Sequence, residues 1–151
     1  MIKYLLDTKI CIYVIKNRPL EVLSKFNDSA GRMAISSITL AELLRGCEKS
    51  QKVEHNTRQV EDFCSRLEVL EYGNNAAQHY GSIRANLEKS GQMIGVNDLH
   101  IAGHARSLGL TVVTIPVPRP EPVFIISNVD WSNILLSYAL SLILIFCLSI
   151  F

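Results

Sequence analysis

Cysteine pairs are missing from this chain. Cys11, Cys47, Cys64 and Cys147 are widely scattered and none forms a Cys-x-x-Cys pair. That speaks against a thiolate zinc site. Most of them fall in helix-like patterns, where a free cysteine behaves as a small buried hydrophobe. Such usage suits a reducing compartment, and a cytoplasmic protein is expected. An excess of charge is also missing. The formal net charge is +1, so no global basic field demands a nucleic-acid partner, although a local basic surface remains open. No leader is expected either, since the short apolar run after Met1-Ile2-Lys3 is interrupted by Asp7. No internal repeat is visible. A His-Glu-x-x-His motif is absent, because the residues from His100 read His-Ile-Ala-Gly. His100 and His104 share a helix face, but zinc held there would need a third ligand. Residues 132–151 contain no charge at all.

What is present suits one domain with its own core: 151 residues can bury enough apolar surface without disulfides. The first apolar strand, Ile2 to Leu6, ends on Asp7. Helical spacing follows from Ile10 to Lys16, and again from Pro19 to Phe26. Met33 to Ile35 reads as a buried strand, leading through Thr39 into a helix from Leu40 to Glu48. A charged surface helix is expected within residues 49–66, with an apolar stripe of Val53, Val60, Phe63 and Leu67. A strand at Leu67–Leu70 precedes a helix at Ala76–Lys89. Ile94-Gly95-Val96-Asn97-Asp98 opens another helix, whose body runs from Leu99 to Leu108. Gly109 is its natural C-cap, and Leu110–Val113 is a β-branched strand. Strands alternating with helices predict a parallel sheet covered on both faces.

Three carboxylates stand at equivalent places in this alternation. Asp7 ends the first strand, Glu42 sits in the first turn of a helix, and Asp98 opens another. Each has a local explanation. Asp7 or Thr8 can cap the first helix, Thr39-x-x-Glu42 fits a capping box, and Asn97 or Asp98 can cap the later helix. Taken jointly they say more, because ligands of open α/β sheets bind beyond the carboxyl ends of the strands. Three carboxylates gathered there repel one another unless they share a cation. Oxygen donors select Mg²⁺ or Mn²⁺. A pair of such ions suits in-line attack of water on a phosphodiester.

Four stretches carry a family likeness. They are Tyr4-Leu5-Leu6-Asp7-Thr8, Ser36-Ser37-Ile38-Thr39-Leu40-Ala41-Glu42-Leu43, Asn97-Asp98-Leu99-His100-Ile101-Ala102-Gly103-His104-Ala105, and Gly109-Leu110-Thr111-Val112-Val113-Thr114. In order and spacing they resemble the PIN-domain ribonuclease toxins of the VapC type, over residues 1–114. The resemblance implies a three-layer α/β/α sandwich around a parallel sheet. It implies a Mg²⁺- or Mn²⁺-dependent endoribonuclease, with tRNA the usual kind of target. It also implies homodimerisation and an antitoxin, VapB, whose C-terminal segment occludes the site. Asp7, Glu42 and Asp98 match the family's first three acidic positions. Asp7 and Asp98 would be the main metal ligands, and Glu42 would bind metal or position the attacking water. Thr8 would hydrogen-bond a ligand or metal-bound water.

Two departures stand against that likeness. Where the family reads Asp-Thr-Asn, this chain has Lys9, which can compete with a cation or point outward and touch phosphate. After Thr114 the family's Asn-Asn pair and its Glu-Phe pair, carrier of the fourth acidic position, give way to Ile115-Pro116-Val117-Pro118-Arg119-Pro120-Glu121-Pro122. Residues 114–131 hold four of the five prolines, which prevent a regular helix or interior strand. Glu121 is the nearest carboxylate, and Asp130-Trp131 falls where the family's closing pair would lie. The division expected is therefore a core at 1–114, a proline-rich segment at 115–131 and an apolar tail at 132–151. The abrupt change suggests a shift of reading frame. Resequencing tests it: the idea fails without an Asn-Asn-x-x-Glu-Phe coding stretch in a neighbouring frame. Residues 134–151 have the length and composition of a minimal transmembrane helix, so membrane association through this tail is the alternative to a cytoplasmic protein. The alternative function is a PIN module of weak or absent activity that still binds antitoxin and a second subunit.

Overall fold

Leu5 and Leu6 project to opposite faces of a three-residue strand, β1 (Tyr4–Leu6), and both are fully buried. A strand covered on both sides belongs in the interior of a sheet. β1 is central in the order β3-β2-β1-β4, and every pairing is parallel. Its neighbours are β2 (Met33–Ser36) and β4 (Thr111–Val113), with β3 (Glu68–Leu70) beyond β2. The computed structural model describes residues 1–17 and 20–115. Apart from Ile115, the proline-rich segment and the apolar tail lie outside the described residues, as do Glu121, Asp130 and Trp131. Among the described residues no helix is long and apolar enough to cross a membrane.

Six helices connect the strands: α1 (Thr8–Asn17), α2 (Leu20–Asp28), α3 (Ser37–Glu48), α4 (Val53–Cys64), α5 (Asn74–Ser90) and α6 (Val96–Leu108). Strand register sorts the core into two layers. Leu6, Ile35 and Val113 are partners across the sheet. They pack on Ile10 and Val14 of α1, Leu43 and Cys47 of α3, and Val60 of α4. Leu5 and Ala34 turn the other way, onto Ile101 and Ala105 of α6. The chain is thus the expected three-layer α/β/α sandwich. Burying each leucine of this core contributes about 1.5–3 kcal/mol. Cys11, Cys47 and Cys64 are unpaired thiols, the first two within the core.

α5 and α6 pack closely at Gly103. A Cβ there would stand 2.8 Å from the Tyr80 backbone nitrogen and 3.0 Å from the Ala76 carbonyl oxygen, so only glycine fits. α5 ends at Gly91, whose φ of 68° is left-handed, and α6 ends likewise at Gly109, φ 66°.

Several helix starts differ from the sequence reading: α1 begins at Thr8, ahead of Ile10, and α5 at Asn74, ahead of Ala76. α3 begins at Ser37, directly after β2, and not at Leu40; Ser36 is its N-cap, its Oγ accepting from the Ile38 amide at 3.1 Å. The expected Thr39–Glu42 capping box therefore does not form, and no acidic residue lies in the first turn. Both residues satisfy the capping pattern, but Thr39 is buried and donates to the Leu6 carbonyl at 3.4 Å. α4 is shorter than the 49–66 stretch and starts at Val53. α6 starts at Val96, within its expected opening stretch, but with Gly95 at its N-cap and no side-chain cap, so neither Asn97 nor Asp98 caps it.

Candidate active site

The parallel register sets Leu6 opposite Val113, so the next residues of β1 and β4 emerge side by side. The Asp7 amide continues the ladder, donating to the Val113 carbonyl at 2.9 Å. Asp7 itself is only 4% exposed. One carboxylate oxygen accepts from the Thr8 amide at 2.7 Å, and the other accepts from the Thr114 hydroxyl at 2.6 Å. Burial pushes the Asp7 pKa above the usual carboxylate value, and the charge of Asp98 pushes it the same way. The Thr114 bond, Lys9 and the Thr8 amide oppose that rise.

Glu42 lies in the second turn of α3. Thr39, on the same helix, fastens α3 to the carboxyl end of β1. One Glu42 oxygen accepts from the Thr8 hydroxyl, and the other accepts from the Asn97 side-chain amide at 2.7 Å. Asp98, in the first turn of α6, meets Lys9: Nζ and Oδ2 are 3.1 Å apart, in side chains 39% and 31% exposed. A Cβ at residue 95 would stand 3.1 Å from that same Oδ2, so Gly95 leaves room for the carboxylate.

Thr8 and Lys9, the first two residues of α1, thus reach across to Glu42 and Asp98. Asp7 precedes them on the same chain, and the Asp98 charge acts on Asp7. The three carboxylates border one end of the sheet. As placed, however, no three His, Cys, Asp or Glu side chains among the described residues stand close enough together to hold a metal ion. The donor type fits a hard divalent cation, and burial of like charges at Asp7 is the imbalance such a cation relieves. The obstacle is that Thr8, Asn97 and Lys9 engage the oxygens of Glu42 and Asp98.

Sequence spacing did not single out Thr114 or Asn97. Thr114 had a signal available, because it follows the β4 strand as Asp7 follows β1. Asn97 had only its place beside Asp98. His100 and His104, set aside as zinc ligands for want of a third donor, each meet a hydroxyl. The His104 Nδ1 lies 2.9 Å from the Ser36 hydroxyl, and the His100 Nδ1 lies 2.9 Å from the Tyr72 hydroxyl. His100 also stacks on Tyr80, with ring centres 4.1 Å apart. Burial lowers both imidazole pKa values, so both favour the neutral form.

The family model for the PIN domain matches residues 4–115. Ribonuclease VapC2 of Haemophilus influenzae is 53% identical over 131 residues, covering 87% of this chain and 99% of the relative. The tRNA(fMet)-specific endonuclease VapC of Shigella flexneri is 49% identical over 87% of this chain and 100% of the relative. Among solved structures, DNA-bound VapBC from Salmonella typhimurium matches with a TM-score of 0.76 and 49% identity, covering 82% of this chain and 96% of that one. The matched 131 residues exceed the 114 that carry the motifs.

Proposed function

The chain belongs to the PIN-domain family, among the ribonuclease toxins of the VapC type, and from that membership we propose that it is a Mg²⁺- or Mn²⁺-dependent endoribonuclease acting on tRNA. The observation that carries the site is the placement of Asp7, Glu42 and Asp98 at one end of the sheet, with Asp7 buried and sensing the charge of Asp98. Asp7 and Asp98 would hold the ion, and Glu42 would join them or orient the attacking water. When bound, the ion supplies an activated water and neutralises charge developing on the phosphate. The chain's own residues prepare that place. The Thr8 amide and the Thr114 hydroxyl each bond one Asp7 carboxylate oxygen and favour the charged form against the burial that opposes it. Thr8 and Asn97 fix the Glu42 carboxylate. A VapB-type antitoxin and a second copy of this chain are the proposed partners, in the cytoplasm. The tRNA(fMet) activity of the Shigella relative makes that tRNA the first substrate to assay.

A second reading rests on Lys9, paired with Asp98, and on the lost Asn-Asn pair after Thr114. In it the module binds antitoxin without cleaving RNA. The full-length protein, incubated with tRNA and Mg²⁺, separates the two. Cleavage is expected, abolished by EDTA and reduced on the order of 10²-fold or more by Asp98→Asn. Cleavage unchanged in Asp98→Asn would remove Asp98 from the site, and no cleavage by the unmodified chain would favour the binding module.

A further inference from the structure

Lys9 occupies the first turn of α1, where a positive charge opposes the helix macrodipole. Helix electrostatics therefore does not account for it, and a carboxylate partner offsets the cost. That partner is Asp98, on a helix 89 residues away in sequence, with Nζ and Oδ2 3.1 Å apart. Gly95 leaves that Oδ2 uncovered by any side chain of its own. Thr8, one residue earlier, engages Glu42. The opening turn of α1 thus holds two of the three carboxylates, and as placed the three do not gather around a common point.

We infer that Lys9 is a built-in cation at Asp98, and that a divalent ion must displace its ammonium to bind. This rests on the metal-dependent reading above and deepens it. The pair is only half buried, so displacement is feasible: the Lys9 side chain can swing into water, and exposed ion pairs are weak. The lysine lowers ion affinity without abolishing it. It also carries a like charge that stays near the bound ion.

The test is Mn²⁺ binding by the full chain in mild detergent, read from loss of the free-ion paramagnetic resonance signal. Unmodified protein, Lys9→Gln, Lys9→Arg and Asp98→Asn are compared. Lys9→Gln is expected to bind roughly three- to tenfold more tightly, from loss of an exposed pair and of a like charge beside the ion. Lys9→Arg is expected to match the unmodified chain, and Asp98→Asn to bind most weakly. Equal or weaker binding by Lys9→Gln, with Asp98→Asn still impaired, overturns the role of Lys9 and leaves the metal reading standing. Absence of Mn²⁺ binding in every variant overturns the metal reading, and the role of Lys9 with it.

Discussion

At Asp7, burial and then the Asp98 charge disfavour ionisation, against the Thr114 hydroxyl, Lys9 and the Thr8 amide. The net result is a carboxyl group whose folded pKa lies above its ordinary 3.8. The consequence for stability has a definite sign. A carboxyl raised on folding is most favourable to the fold below its unfolded pKa. That advantage is lost as pH rises through the folded value, and above that value the penalty is present in full. Asp7→Asn removes the charge and keeps the shape. With EDTA present, it is expected to melt higher than the unmodified chain at pH 7. A gain of about 1 kcal/mol would read as ~2–4 °C. The gap should narrow as pH falls toward the carboxyl range. A calorimetric scan at several pH values checks this, and an equal or lower melting temperature at pH 7 rejects the proposed imbalance.

Between elements, α5 and α6 meet where Gly103 has no room for a side chain. Because backbone atoms and not a flexible side chain line the contact, Gly103→Ala should force the helices apart. The expected loss is about 1–3 kcal/mol, measurable by urea unfolding, and a change within a few tenths of zero would show that the helices shift freely. The small residues Ala102, Gly103 and Ala105 suggest close packing against a sheet; Ala105 does pack on Leu5 and Ala34, whereas Gly103 meets α5. The sequence made the strand and helix alternation legible, since apolar strands ending at Asp7 and Thr114 are separated by helical spacing. Helix starts were less legible. Ser36 and Thr39 fit an N-cap pattern equally well, and only the burial of Thr39 against the Leu6 carbonyl separates them. The candidate site was readable where each carboxylate stands at the edge of its own element. Bonds that join elements were not: Asn97 to Glu42 spans 55 residues and Thr114 to Asp7 spans 107. Local spacing carries no record of such distances.

For the molecule as a whole, the described residues complete a sandwich whose sheet ends on β4, and no described helix is suited to cross a membrane. The uncharged run 132–151 raises the remaining whole-molecule question. If it anchors the protein, the full chain is expected in washed membranes after carbonate extraction, whereas recovery in the soluble fraction or in inclusion bodies argues against an anchor. The Thr114 hydroxyl on Asp7 gives this division a genetic meaning. Thr114 is the last described residue to touch a proposed ligand. An insertion or deletion downstream of it would rewrite the carboxyl terminus yet leave Asp7, Glu42, Asp98 and their hydrogen-bond partners encoded. One that removed Thr114 would leave Asp7 with the Thr8 amide alone.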